Sequence, residues 1–87
     1  MMNSGLHTVE QRVRQIIVDR LGIDADCVTP QSDFADDLGA DSLDRVELLL
    51  AMEEKFRVRV PEGESDRIRT VQDAVAYIEK NSRTLVH

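Results

Sequence analysis

Tryptophan is absent from the 87 residues, and only Phe34, Phe56 and Tyr77 carry aromatic rings. The core must therefore be built from Val, Ile, Leu and Met. A single cysteine, Cys27, excludes an internal disulfide framework and a multi-cysteine zinc site. The two histidines, His7 and His87, stand near the two ends of the sequence, far from any candidate nucleophile along the chain. No apolar run is long enough to span a membrane, and the start does not read as a secretory signal. These absences predict a protein of a reducing compartment, cytoplasmic or an equivalent organelle matrix, without stable membrane insertion. The length predicts one small domain with a modest core.

Positive charge is also scarce. The formal net charge is −6, and it is unevenly spread. Residues 24–54 hold the carboxylates of Asp24, Asp26, Asp33, Asp36, Asp37, Asp41, Asp44, Glu47, Glu53 and Glu54 against Arg45 alone. Such a middle repels nucleic acid and anionic membranes and favours partners with basic patches. A solvated acidic surface kept for solubility is the alternative. Asp24-Ala-Asp26 opens like a calcium-binding EF-hand loop. Thr29 stands where that loop needs glycine, however, and Ala35 where it needs a bidentate acid, so no metal site is expected.

What is present is helical periodicity. Thr8-Val9-Glu10-Gln11 has the form of a capping box. Val9, Val13, Ile16, Ile17 and Leu21 follow at helical spacing, and Gly22 suits the left-handed position that ends a helix. From Ile23 to Ala40 the pattern fails, and Pro30, the Asp residues and Gly39 predict a long loop. Loops of that length need pinning, and Val28, Phe34 and Leu38 are the candidate pins. A second helix is predicted from Ser42 to Phe56 with Asp41 as N-cap. Residues 62–68 can hold only a short, weak helix, because Gly63 and Ser65 are poor interior residues. Thr70 caps a last helix with Asp73 as its box partner and Val71, Ala74, Val75 and Ile78 on one face. The expected fold is all-α, a small bundle of three main helices plus a short fourth, with a long loop between helices one and two.

The second helix carries two apolar stripes. At about 100° per residue, Leu43, Val46 and Leu50 fall on one side. Leu48, Leu49, Met52 and Phe56 gather almost opposite. Only one stripe can face the centre of a small bundle, and the larger is the natural core face. The smaller, flanked by Glu47, Glu53 and Glu54, then has the composition of a transient docking surface. Burial on both sides, with Leu43 and Val46 leaning on the long loop, is the alternative.

Ser42 opens that helix. As a hydrolytic nucleophile it would need a base within reach, and the sequence offers none nearby. A helix amino terminus does tolerate an attached phosphate, since its N–H groups are unpaired and its dipole end is positive. Ser42 can thus be an acceptor for a phosphate-linked group, or simply a first-turn residue that caps the helix.

The run Asp36-Asp37-Leu38-Gly39-Ala40-Asp41-Ser42-Leu43-Asp44, followed by Val46-Glu47-Leu48 and Glu53-Glu54-Lys55-Phe56, closely resembles the acyl carrier proteins of dissociated (type II) fatty acid synthesis. VEQRVRQIIVDRLGI is similar to the family's first helix and TVQDAVAYIE to its last. The likeness spans about residues 8–80, between ends (1–7 and 81–87) expected to be flexible. It implies a carrier, not an enzyme, holding acyl intermediates as thioesters on a 4′-phosphopantetheine arm on Ser42. It implies a recognition helix with Asp41, Leu43, Asp44, Val46, Glu47, Leu50, Glu53 and Glu54 as contacts. The implied partners are a phosphopantetheinyl transferase, ketosynthases, reductases, dehydratases and acyltransferases with basic patches, met by a monomer. Phe34, Leu48, Leu49, Phe56, Val60, Ile68 and Val75 are the implied lining for a sheltered acyl chain. Arg45, Arg57 and Arg59 depart from the family's usual pattern and point to a narrower set of accepting enzymes. A polyketide, peptidyl or aryl carrier, or a helical interaction subunit that shuttles nothing, are the rival readings.

Overall fold

The computed structural model describes residues 8–81. Four helices run in chain order: α1 (Val9–Leu21), α2 (Ser42–Phe56), α3 (Glu62–Ser65) and α4 (Val71–Asn81), with a 3-10 turn at Ala25–Cys27. Of the ends expected to be flexible, 1–7 and 81–87, residues 1–7 and 82–87 lie outside the described residues, whereas Asn81 is the last residue of α4, one past the expected boundary.

The three longer helices each begin where a side chain takes up open N–H groups. Thr8 Oγ1 accepts from the Gln11 N–H, and the Gln11 side chain accepts from the Thr8 N–H. Thr70 and Asp73 do the same for α4. Gly22 ends α1 at φ 67°, a left-handed conformation that costs glycine nothing. Arg57 ends α2 at φ 56°, the one non-glycine residue at positive φ among those described.

α1 packs against both α2 and α4, and α3 has no comparable interface. Val13 and Ile17 of α1, Leu48, Met52 and Phe56 of α2, and Val71, Ala74 and Ile78 of α4 form the centre of the core. The Arg12 guanidinium lies 4.9 Å from the Phe56 ring centroid, covering the ring with a cation–π contact.

The loop of 23–40 is docked, and Val28, Phe34 and Leu38 are buried as its pins. Its backbone is also stitched to the start of α4. Phe34 N–H donates to the Arg69 carbonyl, Val71 N–H to the Ser32 carbonyl, and Gln72 N–H to the Pro30 carbonyl. Buried Ser32 accepts the Thr29 N–H on its hydroxyl. Asp33 folds the next turn around itself, its Oδ1 accepting from the Ala35 and Asp36 N–H groups. Gly39 at φ 73° then turns the chain, and the Ala40 N–H donates to the Phe34 carbonyl. These bonds deliver Asp41 and Ser42 to the head of α2.

The Asp36 N–H above all holds the Asp33 carboxyl below its ordinary pKa, against an opposing effect of desolvation. The Ala35 N–H and the charges of Arg69 and Arg45 add to the lowering. A lowered folded pKa contributes stability above the unfolded value and loses it as pH falls through the folded one. Melting curves recorded from neutral pH downward should show stability declining below about pH 4, and Asp33→Asn should decline less over the same range. An identical pH profile in the two proteins would remove this role from Asp33.

Candidate functional site: the head and outer face of α2

Burial of Leu48, Met52 and Phe56 sets the rotation of α2. The opposite stripe is thereby turned outward: Leu43 is 64% exposed, Val46 52% and Leu50 53%, the large exposed apolar residues among those described. Glu47 and Glu54 stand exposed on the same helix. The alternative of burial on both sides is not met, and the loop does not cover this stripe.

The cap of α2 is supplied by Asp41. Its Oδ1 accepts from the Asp44 N–H at 2.8 Å, and Asp44 Oδ2 accepts from the Asp41 N–H at 3.2 Å. Ser42 is exposed in the first helical turn, and among the described residues its hydroxyl has no hydrogen-bond partner. The Ser42 and Leu43 N–H groups have no acceptor there either. The capping explanation for the serine therefore fails, because the neighbouring carboxylate does that work. What remains is a free hydroxyl at the positive end of a 15-residue helix. It opens on a groove lined by Arg45, Val46, Leu49, Glu62, Ser65 and Asp66.

Several side chains face elsewhere than their sequence position implied. Glu53 is half-buried, and its Oε2 accepts the Val60 N–H, fastening the connection between α2 and α3. Tyr77 fastens the same connection by donating its hydroxyl to the Arg59 carbonyl at 2.6 Å. Burial, with the charges of Glu64 and Glu53, raises the Tyr77 pKa, so it stays a donor at neutral pH. Arg45 turns inward, its Nη2 donating to the Ser65 and Ile68 carbonyls, both at 3.0 Å. Its place was open to inspection on the helical wheel. At about 100° per residue Arg45 falls amid Leu48, Leu49, Met52 and Phe56, not on the outer face. An arginine inside a core stripe needs acceptors, and the sequence alone does not show where they are.

The expected acyl-chain lining is only partly assembled. Phe34, Leu48, Leu49 and Ile68 meet beside Arg45 in a seam too narrow to admit water. Phe56 is buried elsewhere in the core, and Val60 and Val75 are half-buried on it. No group of His, Cys, Asp and Glu among the described residues is placed to hold a metal ion. None of the helices described is long and apolar enough to cross a membrane.

Comparison with known proteins decides the family. Residues 11–78 match the family described as the phosphopantetheine attachment site. An acyl carrier protein of Akkermansia muciniphila is 53% identical over 74 residues, which are 85% of this chain and 92% of that protein. The chain belongs to the acyl carrier protein family. It is a carrier and not a catalyst, and phosphopantetheine is the prosthetic group of its family. The all-α bundle presents the apolar stripe and its acids on one side of α2 and the free hydroxyl at its head.

The division of labour between two adjacent residues can be measured. Asp41→Ala should cost about 1 kcal/mol of stability through loss of the cap, whereas Ser42→Ala should stay within about 0.5 kcal/mol of wild type, as exposed substitutions do. Urea titrations of both variants test this. A larger loss in Ser42→Ala would return the capping role to the serine.

Proposed function

We propose that Ser42 is the residue that bears 4′-phosphopantetheine, and that the outer face of α2 is the surface read by the enzymes that load and use it. The observation that carries the proposal is the Ser42 hydroxyl, exposed and without a hydrogen-bond partner among the described residues, beside a carboxylate that has taken over the cap. The residues present fit such a group. A phosphodiester on Ser42 Oγ would meet the unpaired N–H groups of Ser42 and Leu43 at the positive helix end. The groove beside it leaves room for an arm to leave the surface.

The attachment itself is a substitution at phosphorus. The serine oxygen bonds to the phosphorus that carries the pantetheine part of coenzyme A, adenosine 3′,5′-bisphosphate departs, and the hydroxyl proton goes to a base of the transferase. When bound, the group supplies a terminal thiol that holds an acyl chain as a thioester. Everything else falls to the chain's own side chains. Leu43, Val46 and Leu50 offer apolar contact. Glu47 and Glu54 supply the field that draws a basic patch into register. Asp41 and Asp44 hold each other in the cap while adding negative charge at the same end. Glu53 contributes charge from a position tied to Val60 and is a weaker contact than its neighbours. A surface of a few exposed side chains suits brief docking, so successive enzymes can exchange on it.

The partners we assign to this face are a phosphopantetheinyl transferase and the ketosynthases, reductases, dehydratases and acyltransferases of fatty acid synthesis. The carrier meets them as a monomer in the cytoplasm. Support for the setting comes from the relative's description as an acyl carrier protein and from the acidic, apolar-centred helix.

Intact mass after incubation with coenzyme A, Mg²⁺ and a broad-specificity phosphopantetheinyl transferase should rise by one phosphopantetheine in wild type and not at all in Ser42→Ala. A mass gain in the alanine variant would place the attachment elsewhere. For the docking face, Glu47→Lys combined with Glu54→Lys should lower kcat/KM with a partner ketosynthase about tenfold at low salt, and the gap should narrow as ionic strength rises. An equal kcat/KM for the reversed and native helices at low salt would rule out charge steering by these residues.

A further inference from the structure

Arg45 stands where two spaces meet. On one side is the open groove that begins at Ser42 and runs past Val46, Glu62 and Asp66. On the other is the closed apolar seam between Phe34, Leu48, Leu49 and Ile68. The two N–H groups of one guanidinium nitrogen reach the Ser65 and Ile68 carbonyls, one at the end of α3 and one in the turn after it. A single side chain of α2 thus ties the α3–α4 connection across the mouth of the seam. Among the described residues Arg45 has no carboxylate within ion-pair distance, so these carbonyls are its partners. The wall it holds is short and lightly packed. α3 is four residues long, includes Gly63, and is absent from the large helix interfaces.

We propose that Arg45 is a latch that sets the shortest acyl chain this carrier takes into its interior. The ligand is an unbranched, saturated aliphatic chain, the chemistry that a seam of Phe, Leu and Ile side chains accepts. The inference rests on Ser42 as the attachment point, since the groove leads from that hydroxyl to the latch. Entry of the chain parts Leu49 from Ile68 and breaks both guanidinium–carbonyl bonds. Each methylene buried favours entry about fourfold, and each bond from a charged donor opposes it about tenfold or more. Two such bonds together oppose entry about a hundredfold, which is the effect of three or four methylenes. Short chains therefore stay outside with the latch closed, and longer ones displace it.

The test uses the full chain loaded by a transferase from coenzyme A thioesters of increasing length, acetyl to tetradecanoyl, as wild type, Arg45→Met and Arg45→Lys. The rate at which hydroxylamine cleaves each thioester is recorded, together with the melting temperature of the unacylated forms. In wild type, cleavage should slow beyond a threshold length. In Arg45→Met the threshold should fall about three or four carbons shorter, and in Arg45→Lys, which regains one charged donor, it should lie between. An arginine that only supported the fold would lower the melting temperature and leave the threshold in place, and that result overturns the latch. So does an equal shift in the Met and Lys variants. Should Arg45→Met lose its helical signal, Arg45→Leu, which also lacks a donor, provides the same comparison. Wild type that gains no mass overturns the attachment and the latch together, whereas loading with an unmoved threshold overturns the latch alone.

Discussion

The rotational setting of α2 governs the molecule. A helix in a bundle this small has one orientation that buries Leu48, Met52 and Phe56, and those side chains leave almost no surface in water. Burying each is worth about 1.5–3 kcal/mol, so no nearby rotation competes. The same setting puts Leu43, Val46 and Leu50 in solvent and aims the first-turn serine at open space. The apolar residues of the outer face are thus exposed because the core stripe is buried, and no separate device displays them.

Charge is arranged with comparable economy. The acids near the head of α2 serve the fold as well as the surface, since Asp33 shapes the turn ahead of the helix and Asp41 and Asp44 close its first turn. Glu53 fastens a connection, and Arg45 holds a wall. Of the acids of α2, those with no internal bond among the described residues are Glu47 and Glu54. The docking proposed for this face accordingly rests on a small set of side chains, which would keep the encounter strong enough to orient and weak enough to end.

Much of this was legible in the letters. Local signals are carried by local physics, so the caps at Thr8, Asp41 and Thr70 and the left-handed glycine at position 22 could be read directly. The two stripes of α2 were equally open, because burial in a bundle obeys a helical period. What could not be read depends on distant segments meeting. Nothing in Pro30, Ser32 or Phe34 announces that their backbone pairs with residues 69–72. Glu53 looked like a surface acid because its partner, the Val60 N–H, is brought near only by the left-handed Arg57 turn. Arg45 is the instructive miss: its angle on the helix was readable, but its two carbonyl acceptors exist only once α3 and the turn after it are folded.

The backbone stitching between the long loop and the start of α4 has a bearing on how the protein is made. The segment that positions Ser42 takes its shape from bonds to residues 69–72, so a nascent chain emerging amino end first cannot complete it until those residues have been made. The serine thus acquires its final surroundings only after the start of α4 has been made, a timing that keeps shorter nascent chains from presenting the finished head of α2.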